Sequence, residues 1–520
     1  MLLTYRILCV LSYILFYAFA YSQITFKEVI NSHRTKFENF KSEKQQEFKT
    51  FRDSINGLYG KEMRIPWDEH DTQPAAPAPP SPKPPIPEEA ALDELVTNDP
   101  LPFISVTPLP NPKPRPVPLL PISPVDNVPD NAISSPSVIR SIPEKAVNPA
   151  QPKLEPTAPS MPQLTFDFYG SACNVPFDES LQIRLLGLDE NSVADAWNLL
   201  ASDKSLDLIK CAIGIRNKMI LSDWGYIRLV ENLADTAFPN NNNESKLLQM
   251  FILTQSGYKV RLGRRGDKLL VLVPSDDRIY NYSYIIIEGQ CFYAIDRNAG
   301  NGSTYVFNRK FPREQMFSMS FDSQPLLHIT PTQKKHFQCS YGLGIDIDIS
   351  VNKNLIYYYN EYPLSSSWNI NANASLSQDV KDQLYPKLRD AIDGKSEAEA
   401  ANILLRFVQN AFKYKTDEEQ FGYERSFFPD EIFFYPYSDC EDRAILYSVL
   451  VRELLGLNVV LLYYPGHLAT AVHFNEPVKG DYFNIEDNKF TVCDPTYINS
   501  NIGMSMPQYK NASAEIIKLN

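Results

Sequence analysis

The sequence lacks a basic surplus. Fifty Lys and Arg stand against 62 Asp and Glu, for a formal net charge of −12. That leaves no electrostatic footprint for nucleic acid, which is excluded as a partner. The sequence also lacks a CxxC pair. Its seven cysteines are scattered over 520 residues, with no dense framework. Such spacing suits buried free thiols that act as small apolar residues, with a single disulfide as the remaining alternative. Beyond residue 20 there is no apolar run long enough to cross a membrane. From 71 to 163 apolar residues are sparse, too few to offset the entropy of ordering that stretch.

What is present begins with an address. Arg6 is followed by an apolar run from Ile7 to Ala20, then by Ala20-Tyr21-Ser22, a small-x-small cleavage pattern. Residues 1–22 read as a secretory signal peptide, with Gln23 the first mature residue. The run is shorter than the ~20 residues of a membrane anchor. The expected location is therefore exported, periplasmic or secreted, and soluble or peripherally held. Export permits disulfides among the six remaining cysteines, Cys173, Cys211, Cys291, Cys339, Cys440 and Cys493.

Residues 23–68 carry a stripe. Phe26, Phe37, Phe48 and Tyr59 recur at an interval of eleven, and Val29, Phe40 and Phe51 follow three residues behind. An eleven-residue period predicts a long, nearly straight amphipathic helix over 24–63. Gly57 and Gly60 weaken its end, and Pro66-Trp67 stops it. The stripe either packs on the body of the protein or serves self-association or an envelope partner. Residues 69–163 are a Pro-rich linker expected to be disordered: 26 of the chain's 41 prolines fall between Pro74 and Pro162. Such composition favours extended, semi-stiff chain and suits a spacer; a ligand for proline-binding modules is the alternative.

Globular composition resumes at 164. Helical spacing appears at 181–186, 193–200, 206–213, 223–237 and 244–256, and strands are expected at 258–262, 268–273, 279–287 and 291–295. Residues 331–372 alternate and carry β-branched and aromatic residues, as in 345–351 and 355–359, and read as a β-rich connector. The last segment, 373–520, starts with helices at 376–392 and 396–413. Strands follow at 457–464, 467–474, 481–485 and 489–493.

The chemistry gathers in that last segment. Ser438-Asp439-Cys440-Glu441-Asp442-Arg443-Ala444 precedes an apolar run at helical spacing, and Gly456 closes the run. Ser438 and Glu441 read as a capping box, which puts Cys440 in the first helical turn. There unpaired N–H groups and the macrodipole favour an anion, which predicts a lowered thiol pKa. Gly466-His467 opens one strand, and Cys493-Asp494 ends another. A helix-start Cys, then a His, then an Asp on following strands is an arrangement for nucleophilic thiol chemistry. His473 shares a strand face with His467 and is expected at the rim. Asp494 would hold the imidazole, or else only start an Asp-Pro turn.

The string DCEDRA and the order Cys440, His467, Asp494 on helix, strand, strand resemble the transglutaminase-like superfamily. The closest likeness is to its bacterial periplasmic transglutaminase-like cysteine proteinases, whose motif reads DCEDxA; the match covers 373–500. Asp494-Pro495-Thr496 departs from that branch and is more similar to the general transglutaminase core. The resemblance implies an α+β, papain- or transglutaminase-like catalytic domain with Cys440 as nucleophile, His467 as base and Asp494 as orienter. It also implies calcium held by the acids flanking the nucleophile, Asp439 and Glu441. Capping alone accounts for one of these without metal, and the thiol chemistry itself requires no cofactor. Arg443 and Asp442 are a candidate ion pair. The second oxyanion donor, beside the Cys440 N–H, is sought among Tyr435, Tyr437 and Gln420.

The functional expectation is an exported cysteine peptidase or amidase acting on protein or peptide amides, with transfer to an amine as the other acceptor chemistry. A surface-tethered binding or scaffold protein built from such modules is the alternative. Residues 164–330 are expected to be a degenerate version of the same domain. Helix 244–256 corresponds to 441–455 and Gly257 to Gly456. Cys440 and His467 then correspond to Asn241 and Lys268, and Asp494 to Asp296.

Overall fold

The computed structural model describes residues 34–77, 162–296, 300, 302–321, 323–339 and 344–519, and the backbone of 103–104. The expected signal peptide, residues 24–33 of the striped helix and most of the Pro-rich stretch lie outside the described residues. The chain divides into two units, Met1–Lys61 with Leu119–Ser160, and Glu62–Pro118 with Met161–Asn520. The first contains nearly all of helix α1 (34–62), which runs through Gly57 and Gly60 without a break. Along its stripe Phe37, Phe40 and Phe51 are exposed, Phe48 is half-buried and Tyr59 is buried.

The second unit is α+β. Its elements are strands β1 (Asp68–Asp71), β2 (Phe103–Ile104), β3 (Gln163–Phe168) and β4 (Ser171–Pro176), then helices α2 (Glu190–Leu200), α3 (Lys204–Lys218), α4 (Asp223–Ala237) and α5 (Asn242–Gln255). Strands β5 (Arg261–Arg265), β6 (Lys268–Pro274), β7 (Tyr284–Ile287), β8 (Gln290–Ala294) and β9 (Ser303–Phe307) complete the first half. A hairpin, β10 (Lys335–Gln338) and β11 (Asp346–Ile349), leads to α6 (Lys353–Glu361) and α7 (Asn369–Ala372). The second half holds α8 (Gln378–Ile392), α9 (Glu397–Ala411), α10 (Asp417–Phe421), α11 (Glu431–Phe434) and α12 (Cys440–Leu455). It ends with β12 (Asn458–Tyr464), β13 (His467–His473), β14 (Tyr482–Ile485), β15 (Asn488–Cys493) and β16 (Ala514–Lys518).

Three expectations need correction, and one strand was not foreseen. Residues 68–71 are not linker: they pair with β9, and Gln73 bridges Tyr284. Residues 181–186 hold only a 3₁₀ turn, Glu179–Leu181. Only the first part of the 331–372 connector is β. Its stretch 355–359 is α6, because Asn352 caps the helix and Leu355, Ile356, Tyr358 and Tyr359 fall on one buried helical face. Strand β16 was not read from the sequence at all.

The two halves repeat one plan. The first sheet runs β1-β9-β5-β6-β8-β7, and the second runs β2-β16-β12-β13-β15-β14. Substituting β9 for β16, β5 for β12, β6 for β13, β8 for β15 and β7 for β14 makes the orders identical. Only the edge differs, since β1 is antiparallel to its neighbour and β2 parallel. Helix α5 packs on β6 and against α4 as α12 packs on β13 and against α9. Both helices end at a glycine in the left-handed region, Gly257 (φ +89°) and Gly456 (φ +68°), a conformation that costs other residues a Cβ clash.

The cores repeat position by position. Leu270, Leu272, Ile285, Ile287, Phe292, Ala294 and Val306 form the buried face of the first sheet. Strand register puts Ala469, Ala471, Phe483, Ile485, Phe490, Val492 and Ile516 in the same places, and all are in the core of the second. Residues 284–296 and 482–494 align without a gap over thirteen positions, with five identities: Tyr, Ile, Glu, Phe and the final Asp.

Candidate functional site

The site forms where α12 starts beneath the first residues of β13. The N-cap of α12 is Asp439, whose backbone N–H donates to Asp442 Oδ2 at 3.2 Å. The capping pair is thus Asp439 with Asp442, one residue later than the sequence pattern suggested, and Glu441 is left free of capping. Cys440 occupies the first helical position. It packs in a cluster with Ala372, Ala444, Ile445, Leu461 and Leu468 and is 2% exposed.

His467 is the first residue of β13, paired with Tyr464 across a tight turn. Its Nε2 lies 2.8 Å from Asp494 Oδ2, and its Nδ1 is buried without a hydrogen-bond partner. With Nε2–H donated to the carboxylate, Nδ1 carries the lone pair. The ring is stacked on Tyr509, centroids 4.9 Å apart and planes 13° apart, and Tyr464 lies on the same stack. His473 is elsewhere: its Nδ1 is 3.0 Å from the Lys489 carbonyl oxygen.

Asp494 follows β15 and is held from both sides. Its Oδ1 accepts the N–H groups of Thr496 (2.9 Å) and Tyr497 (3.2 Å). The Gln409 amide, from α9, donates to the Asp494 carbonyl at 3.1 Å. The Asp-Pro turn and the imidazole contact are therefore two uses of one carboxylate.

The Cys440 thiol donates to Glu441 Oε2 at 3.1 Å and makes no hydrogen bond to His467. Burial, with the Asp439 carboxyl next, pushes its pKa well up, against the opposing effect of the Leu468 N–H. This overturns the lowered pKa expected of a helix start. A helix terminus contributes roughly 0.3–1 kcal/mol at a charge. Desolvation of a buried ionisable group shifts a pKa by up to about 3–5 units, and neighbouring carboxylates add to it. Burial wins here.

Those carboxylates form a cluster. Ligand atoms of Asp417, Glu424 and Glu441 lie within 4.8 Å of one another, and so do those of Asp417, Asp439 and Asp442. Burial pushes Asp417 up to about 11 and Asp439 up to about 7, and holds Glu441 and Asp442 well above the usual carboxylate range. Among the described residues, Asp417 Oδ1, Asp439 Oδ1 and Glu441 Oε1 are buried without a hydrogen-bond donor. Two such groups of buried and half-buried carboxylates, joined at Asp417, have the donor chemistry of a hard cation such as calcium, which takes oxygen ligands. Asp439 and Glu441 were legible as candidate ligands; Asp417 and Glu424 were not.

Arg443 does not pair with Asp442. It is buried and donates to the Phe412 carbonyl (2.8 Å), the Gln409 carbonyl (3.4 Å) and Ser438 Oγ (3.3 Å), tying α12 to the end of α9. Of the expected oxyanion donors, Tyr435 donates to Asn360, and Gln420 Nε2 donates to the Tyr437 carbonyl. A different hydroxyl stands out. Tyr414 is bridged to Ser438 backbone to backbone, and its hydroxyl is buried without a partner. Burial raises its pKa, and the largest charge effect after that comes from Cys440.

The first half has the same places with different residues. Asn241 caps α5 where Asp439 and Cys440 begin α12, and Lys268 opens β6 as His467 opens β13. Asp296 follows β8 as Asp494 follows β15. Asn243 Oδ1 accepts the Leu269 N–H at 2.8 Å. The counterpart of that N–H, on Leu468, faces the Cys440 sulfur.

No family model matches the sequence, no curated protein matches it, and no solved structure matches it.

Proposed function

We propose that the protein is an exported thiol hydrolase of the cysteine peptidase or amidase kind, acting on protein or peptide amides. One observation carries the reading: Asp494 occupies His467 Nε2, so the one imidazole nitrogen left with a lone pair, Nδ1, is buried and unpartnered beside the start of α12. In the proposed cycle Nδ1 takes the thiol proton as the Cys440 sulfur attacks the carbonyl carbon. The tetrahedral adduct expels the amine, which leaves with that proton, and a thioester remains. Water then attacks the thioester, His467 takes its proton and returns it to sulfur, and a carboxylic acid departs. An amine in place of water would give transfer. Since the thiol rests protonated, ionisation belongs to the attack step and not to the resting state.

The DCEDRA string and the order of the three residues resemble transglutaminase-like cysteine proteinases, and the repeated plan supports reading the first half as a degenerate version of the same domain. Asp417, Glu424, Asp439 and Glu441 would hold a calcium ion, whose charge would offset the buried carboxylates beside the thiol. A second reading is a surface-held scaffold of such modules; the near-complete burial of Cys440 favours it.

The test is labelling of the exported full-length protein with a thiol-directed acylating probe. We expect labelling that Cys440→Ala abolishes and His467→Ala slows strongly. Equal labelling in the wild-type protein and Cys440→Ala would sink the hydrolase and leave the scaffold.

A further inference from the structure

A cavity of about 280 Å³ opens between the two halves and has no part in the chemistry above. Tyr280, Asn281 and Tyr282 line it from the first half, just ahead of β7. The segment between α6 and α7 and the loop before α12 supply the rest. The first-half residues are fixed there. The Tyr280 N–H donates to the Leu364 carbonyl at 2.9 Å, and the Ser366 N–H to that of Arg278 at 3.0 Å.

One residue links the cavity to the surroundings of Cys440. Trp368 lines it, packs on the cluster that contains Cys440, and lies 4.7 Å from the ring of Tyr463. It carries no net charge, since its two charged residues, Arg425 and Glu431, pair with each other. What remains is mostly aromatic rings and carboxamides, with three serines, Pro363 and Leu364. Asn281 is exposed with its side chain unpartnered among the described residues. Asn360 Oδ1 accepts from Arg425 and Tyr435, and its amide N–H groups donate to none of the described residues.

We propose that this cavity is a subsite for an uncharged aromatic side chain of an extended polypeptide whose scissile amide lies at Cys440. The proposal rests on the hydrolase reading for its orientation. The volume is at the lower edge of small-molecule pockets, about 300–1,000 Å³, and suits one side chain rather than a whole cofactor. Rings favour a ring edge or face. A charged side chain would be desolvated with no partner. The amides of Asn281 and Asn360 meet the peptide backbone. The half without a nucleophile thereby selects what the other half cleaves.

The test uses full-length Cys440→Ala protein, so nothing is turned over. It is titrated with acetyl-Ala-Ala-X-Ala-Ala-amide, X being Tyr, Ala or Glu. The Tyr peptide should bind about fivefold tighter than the Ala peptide, and the Glu peptide weakest. Tyr280→Ala should remove the preference for Tyr and leave the Ala peptide unchanged. Tyr423→Ala, at a half-exposed ring of the same wall, should weaken the preference if Tyr280→Ala does not fold. Equal affinities for the Tyr and Ala peptides, or a Tyr preference that survives both substitutions, overturns the proposal. Probe labelling of the wild-type protein without this preference removes the subsite alone. The preference without labelling removes the hydrolase and leaves a peptide-recognition site.

Discussion

Asp494 is the residue on which geometry and chemistry meet. One oxygen orients His467 and the other closes a turn on Thr496 and Tyr497. Asp494→Asn keeps the turn acceptor and removes the charge that selects the tautomer. Activity against a peptide amide should fall about 10⁴-fold with the melting temperature unchanged. A parallel loss of stability would assign Asp494 to the turn alone. Tyr414 makes the complementary case. If its hydroxyl meets the oxyanion, Tyr414→Phe should lower kcat about 10²–10³-fold, slow labelling by the acylating probe and leave KM as it was. An unchanged kcat would return the hydroxyl to a packing role. Cys440, His467 and Asp494 were legible because each stands beside its own element, at a helix start, a strand start and a strand end. Tyr414 and Asp417 were not, because what brings them to Cys440 is the bridge from Tyr414 to Ser438, a non-local pairing that leaves no periodic mark.

Helix α12 concentrates more buried acid at its first turn than a helix start requires. Asp439, Glu441 and Asp442 are all nearly inaccessible, and Asp417 joins them from the start of α10. Their folded-state pKa values are raised above the unfolded ones, chiefly by burial. A carboxyl with a raised folded pKa contributes stability that is full below its unfolded pKa, near 4, and is lost as pH rises through the folded value. For Asp439 that value is about 7, and buried Asp430, which accepts from Ser377, also sits at about 7. Without divalent cations the melting temperature should therefore fall as pH rises from about 4 to 7. Calcium at 100 times its Kd should restore about 2.7 kcal/mol and flatten the slope. A melting temperature that rises over that window, or ignores calcium, would refute the cation site. At this scale the sequence showed where α12 begins and not how deeply it is buried. It mistook α6 for a strand because Leu-Ile-Tyr-Tyr-Tyr is rich in strand-forming residues, and the Asn352 cap decided otherwise.

The two six-stranded sheets of the second unit follow one plan, and among the described residues the buried acidic cluster belongs to the second of them. Hydrogen exchange should report that division: calcium should slow amide exchange across 413–445 and leave 241–269 unchanged. Protection spreading equally to both halves would mean that the acidic cluster does not act locally. The repetition was legible from two helix–glycine–strand successions of nearly equal length. Strand order extends it, and so do the core positions from Leu270 to Val306, which are apolar like their counterparts but differ in size and share few identities. Alternating strands tolerate exchange among Leu, Ala, Ile, Phe and Val, so packing preserves the plan while letters drift.

The carboxamide of Asn243 marks one place where the two halves part. It holds the Leu269 N–H, whose counterpart in the second half faces sulfur. A thiol and an imidazole placed in the first half by Asn241→Cys with Lys268→His would meet an N–H that is already engaged. The bond works as a latch: it closes in one half the spot that the other leaves turned toward sulfur, and whatever is installed there must first release it.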